Sequence, residues 1–151
     1  MPDDRTTLYF SLFLEAGIID QIGRAFLEKR LPEGLLTSHF SVVSHLTRVR
    51  DGVTPLELAR AFQVPKTTMT HTLAGLEKHG LVATRPNPDD KRSKRVWLTD
   101  KGRQFRDEAI VATTPVLQAI SQRFSPDEAE ALLPSLTAFR EVIDKLRDEI
   151  D

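Results

Sequence analysis

Apolar residues recur at helical spacing over most of the chain, and the exceptions mark where it turns. From about Asp4 to Arg30, Leu8, Leu12, Ile19, Ile22 and Phe26 follow one helical face, interrupted only by Glu15. A second set, Tyr9, Phe10, Phe13, Leu14, Ala16 and Ile18, covers much of the remaining circumference. A helix that is apolar on more than one side needs more than one partner, so this one is expected to contact both its own core and a second subunit. Pro32 and Gly34 break it. A second helix is expected from Thr37 or Ser38, either of which can cap it, to about Arg50, with Phe40, Val43 and Leu46 inward. Asp51-Gly52 ends it. In Thr54-Pro55-Leu56-Glu57 the threonine can cap, proline suits the first helical position, and the glutamate can close a capping box. The short helix that follows carries Leu56, Leu58, Ala59 and Phe62. Gln63-Val64-Pro65 then turns the chain into another helix, about Lys66 to His79, with Met69, Leu73 and Leu76 on one face and Gly80 as its C-cap.

Beyond Gly80 the period shortens to two. Leu81 to Arg85 and Lys94 to Leu98 alternate as strands, with Leu81 and Ala83 on one pleat face and Val96 and Leu98 on one face of the second strand. The polar connection from Pro86 to Ser93 is rich in turn formers. These pieces spell a winged helix-turn-helix over about residues 53–98. Thr99 caps a long helix through about Phe124, with Phe105, Ala109, Ala112, Val116 and Ile120 inward and a bend expected at Pro115. Ser125-Pro126-Asp127-Glu128 is a second capping box. The last helix steps through Leu132, Leu136, Phe139, Ile143, Leu146 and Ile150 in a heptad-like seam, with distortion expected near Pro134. The fold class is therefore mainly α with one small β-hairpin (α+β). The 151 residues suit a single domain, with candidate dimerisation helices at about 4–30 and 104–150.

Net charge changes this picture little, but its distribution matters. The formal balance is only -1 and the isoelectric point is near 6.4, so nothing draws the whole chain toward nucleic acid. Locally, Thr84 to Arg103 carries seven basic residues against three acidic, and Pro126 to Asp151 carries eight acidic against three basic. One end can face phosphate while the other avoids it. The absence of cysteine excludes disulfides, thiolate zinc sites and thiol-based redox sensing. No apolar run approaches a membrane span, and the start MPDDR lacks the positive region of a secretory signal, so a cytoplasmic location is expected.

The candidate chemistry is recognition. The N-terminal half of the second helix of such a unit reaches base edges in the major groove of DNA. Here it offers Lys66, Thr67, Thr68, Thr70 and His71. The hairpin tip bears Lys91, Arg92, Lys94 and Arg95, suited to phosphates or to an arginine placed in the minor groove, and Asp90 is positioned to shape the tip. Trp97 is expected to pack on the reverse face of its strand. The helix TPLELA, the helix ending LEKHGLV, the pattern R-x-x-x-x-D-x-R over Arg85 to Arg92 and the segment Val96 to Arg103 together resemble the MarR (multiple antibiotic resistance regulator) family over almost the whole chain. The resemblance implies an obligate homodimer with interleaved first and last helices. It also implies binding to a pseudo-palindromic operator in double-stranded DNA, with Arg92 as the minor-groove residue and Lys66 to His71 at the base-reading positions. Many members are repressors released by small, often phenolic, effectors. For such a ligand the candidate lining is Tyr9, Phe13, His39, Phe40 and Arg48. Without cysteine the chain falls outside the peroxide-sensing members. His39, His45, His71 and His79 lack a metal-binding spacing, and no metal or other cofactor is expected. No phosphate-binding loop, dinucleotide fingerprint, zinc-protease motif or nucleophile elbow points to an enzyme. The rival is a winged helix that binds protein instead of DNA.

Overall fold

The computed structural model describes residue 1 and residues 3–150. They form α1 (Asp4–Glu28), α2 (Thr37–Arg48), α3 (Pro55–Ala61), α4 (Lys66–Lys78), β1 (Val82–Pro86), β2 (Lys94–Leu98), α5 (Asp100–Ser121) and α6 (Pro126–Ile150). The chain divides into two compact units, residues 1–113 and 114–151, with the boundary inside α5.

The core of the first unit is built by α2, α3, α4, the hairpin and the start of α5. Val42, Val43, Leu46, Leu58, Met69, Leu73, Leu76, Val96 and Phe105 are buried in one cluster. The start of α3 is set as its residues dictate: the Thr54 amide donates to Glu57 Oε2 at 2.7 Å and the Glu57 amide to Thr54 Oγ1 at 3.2 Å, with Pro55 in the first turn. Between α3 and α4, Gln63 takes a left-handed φ of 53°. Gly80 follows α4 at φ 71°, where a side chain would be strained.

Three expectations are corrected. The start of α2 is capped by neither Thr37 nor Ser38; instead the Leu36 amide donates to His39 Nδ1 at 2.8 Å. In the hairpin Val82, not Ala83, faces the core opposite Leu98, and Ala83 pairs with Trp97 on the other face. Leu81 is buried but precedes the strand, so the alternation starts one residue later. In α5 only Gly102, Phe105 and Ala109 are buried, whereas Ala112 and Ile120 are exposed and Val116 is half-buried. Thr99 caps this helix as expected, its Oγ1 accepting from the Gly102 amide at 3.0 Å. Both prolines lie inside continuous helix, Pro115 in α5 and Pro134 in α6.

The second unit holds the end of α5 and all of α6. Its capping box forms: the Ser125 amide donates to Glu128 Oε2 at 2.8 Å and the Glu128 amide to Ser125 Oγ at 3.2 Å. Neither α1 nor α6 contains a buried residue.

Candidate nucleic-acid interface

Helix α4 sorts its residues by face. Met69, Thr72, Leu73 and Leu76 are buried, which leaves Lys66, Thr67, Thr68, Thr70 and His71 exposed on the outer face of its first turns. The Thr70 hydroxyl donates to the Lys66 carbonyl at 2.9 Å, and the buried Thr72 hydroxyl to Thr68 at 3.1 Å. Hydroxyls that bond their own helix weaken it slightly, and the exposed Thr70 still leaves a lone pair and a methyl free. His39 braces the opposite side. Its Nε2 lies 2.6 Å from where a Gly75 Cβ would stand, so α2 and α4 approach closely only because residue 75 has no side chain. Burial holds His39 below the ordinary imidazole range, and the charges of His79 and His71 add to that.

The hairpin carries the second group of cations. Its strands pair antiparallel from Val82 opposite Leu98 to Pro86 opposite Lys94. Val96 also bridges to Val53, tying the wing to the chain that leads into α3. Thr84 Oγ1 donates to Glu77 Oε1 at 2.8 Å, linking β1 to α4. Trp97 occupies the reverse face, as expected, where its ring lies against Gly52 and the Arg85 guanidinium sits 5.9 Å from the ring centroid. Lys91, Arg92 and Lys94 are exposed at the tip. Asp90 Oδ1 accepts from the Arg92 amide at 2.9 Å and lies 3.4 Å from its Nε, so Asp90 shapes the turn while the Arg92 side chain stays 93% exposed. Arg95 is half-buried instead.

Two residues at this site escaped the sequence reading. Asn87, 8% exposed, accepts from the Asp89 amide at 3.0 Å and donates to Ser93 Oγ at 3.0 Å, closing the tip. Asp51 Oδ1 accepts from the Leu98 amide at 2.9 Å, across 47 residues. Asn87 sits in a turn-forming run, which is a general signal for such a bond; Asp51 carries none, since its partner is set by the tertiary fold.

The residues considered for an effector differ in exposure. Tyr9 and Phe13 are exposed on α1, Arg48 is exposed at the end of α2, and His39 is buried. Phe40 packs edge-on to Phe105, with ring centroids 6.4 Å apart. Beyond Phe105 lies a cleft of about 270 Å³ lined by Pro32, Leu35, His79, Leu81, Lys101, Gln104, Phe105 and Glu108, and none of the five candidates lines it. Among the described residues no group of three or more His, Asp or Glu is placed to hold a metal ion. No helix among them is long and apolar enough to cross a membrane.

This architecture has solved counterparts. A crystal structure of MarR aligns with a TM-score of 0.81 at 22% identity, covering 91% of this chain and 94% of that one. A MarR transcriptional regulator from Methanosarcina mazei Go1 aligns at 0.78 and 21% identity, over 89% of this chain and 97% of that one. At such identities the likeness speaks for the fold. In sequence, the model of the MarR family matches residues 33–93, from the approach to α2 through the wing tip. Over that stretch the chain is similar to the MarR family. A MarR variant from E. coli, solved in complex with operator DNA, aligns with this chain at a TM-score of 0.69 and 24% identity, covering 91% of this chain and 99% of that one.

Proposed function

We propose that this protein is a MarR-type homodimeric repressor that reads a pseudo-palindromic operator in double-stranded DNA. The observation that carries the reading is the pairing of an exposed, polar N-terminal half of α4 with an exposed basic wing tip on one buried core. In this scheme Lys66, Thr67, Thr68, Thr70 and His71 meet base edges and adjacent phosphates. Lys91 and Lys94 lie along the backbone, and Arg92 enters the minor groove beside them. The E. coli neighbour solved on operator DNA supports the same use of the fold. A protein-binding winged helix would not need this concentration of cations beside threonines.

Repression is steric: the dimer occupies the operator and blocks polymerase. A small organic effector, phenolic in many relatives, releases it by binding preferentially to a form whose two readers are out of register. The cleft beside Phe105 is our candidate for that effector, its size and its Lys101 suiting a small aromatic acid. Phe40 belongs to its supporting layer through Phe105.

Mobility shifts on the protein's own promoter region across a salt series test the reading. Affinity is expected to fall steeply with salt as phosphate contacts release counterions. Arg92→Ala is expected to cost about 1–3 kcal/mol and, if it removes one phosphate interaction, to flatten the log-log slope by about 1. Absence of sequence-selective binding at low salt would overturn the proposal.

A further inference from the structure

Arg95 differs from its basic neighbours at the wing tip. Its side chain is only 24% exposed, and its guanidinium engages three acceptors. Nε donates to Asn87 Oδ1 at 3.1 Å and Nη2 pairs with Asp89 Oδ2 at 2.6 Å, both within the tip. Nη1 reaches the Gly52 carbonyl at 3.5 Å, 43 residues away in the turn between α2 and α3. Asn87 is itself the centre of the tip's hydrogen bonds. Gly52 is held in turn, at φ 68° with the Trp97 ring against it and its amide donating to the Val96 carbonyl at 3.0 Å. A planar fork of fixed N–H groups can span three such acceptors, whereas a lysine ammonium is a single point of charge. Binding a phosphate would require Arg95 to give up its short charge-assisted bond to Asp89.

We infer that Arg95 is a positioning residue, which fastens the wing tip to the α2–α3 turn and so holds Arg92 at a set place relative to α4. This assignment rests on the DNA-reading function proposed above. Arg95 spends its charge inside the protein, and Arg92, 93% exposed, spends its own on the nucleic acid.

The test uses the full chain on its promoter fragment, with Arg95→Lys, Arg95→Gln, Arg92→Ala and the two double variants. Both Arg95 substitutions are expected to weaken selective binding by about tenfold, the scale of losing one arginine contact, while the salt slope stays at its wild-type value. In either background the penalty of Arg92→Ala is expected to shrink, because an unheld Arg92 has less to lose. A merely destabilised fold would lower the melting temperature and leave that penalty intact, which would overturn the assignment. So would wild-type binding by Arg95→Lys together with a slope flattened by about 1 in Arg95→Gln, the signature of a phosphate contact. Hydrogen exchange provides a reading independent of DNA. The Arg92 and Ser93 amides, bonded to Asp90, are expected to exchange faster in Arg95→Lys, and unchanged exchange would also overturn the assignment. If the wild-type protein shows no selective binding, the DNA-reading proposal fails on its own, and exchange at these two amides still decides whether Arg95 holds the tip.

Discussion

His39 caps one helix and packs against another, and the capping bond needs its Nδ1 unprotonated. Its Nδ1 accepts from the Leu36 amide, so the ring proton sits on Nε2, the atom nearest Gly75. Burial lowers its pKa first, with His79 and His71 adding repulsion; burial and then Arg48 lower that of His45. The unfolded chain therefore takes up protons at these sites at higher pH than the folded one. Their contribution to stability is complete above the unfolded value of about 6.5 and declines as pH falls below it toward the folded values. Denaturant melts from pH 7.5 down to about 5.5 are expected to show this decline. His39→Asn, which keeps an acceptor near the Nδ1 position but does not titrate, is expected to reduce it; identical profiles for the two proteins would contradict the role given to His39. Gly102 is limited by space. A Cβ there would run into the Leu81 carbonyl, which is backbone and cannot swing away, and into Leu98 Cδ1. The helix-propensity gain of about 1 kcal/mol from Gly102→Ala is opposed by that overlap. A net loss of about 1–3 kcal/mol is expected in urea unfolding.

Elements were legible where the residues that decide them are neighbours in sequence. The capping boxes at Thr54 and Ser125, the bounds of β2 and the inward face of α4 all depend on groups within a turn or two of each other. Thr54→Ala is accordingly expected to cost about 1 kcal/mol in urea unfolding, since it removes the acceptor for the Glu57 amide. What stayed hidden depends on distant partners. The tip read as an even row of cations, but Arg95 is drawn inward by Gly52 and Asn87, and Asp51 is committed to Leu98. The phase of β1 slipped because Leu81 is apolar and buried without belonging to the strand. On α5 the periodic apolar stripe continues past Ala109, while burial within this chain stops there. Periodicity reports that a face is apolar, without reporting which surface covers it.

At the scale of the molecule, apolar exposure is concentrated where a partner is expected. Phe10 is 61% exposed on α1 and Ile150 78% exposed on α6, along with many of their apolar neighbours, far more than an isolated soluble chain ordinarily leaves uncovered. A second copy of this chain is our proposed cover. Sedimentation is expected to give a mass near twice 17.0 kDa, and deletion from Ser125 onward is expected to abolish the dimer. Two readers held by one dimer should also leave a paired mark on DNA. Hydroxyl-radical footprinting on the protein's own promoter is the most direct measurement of this central claim. The account predicts two protected half-sites related by a twofold axis, with centres about one helical turn apart, roughly 34 Å, and flanking minor-groove protection that disappears in Arg92→Ala. A single unsymmetrical half-site bound tightly by a monomer, or no protection at all, would contradict it.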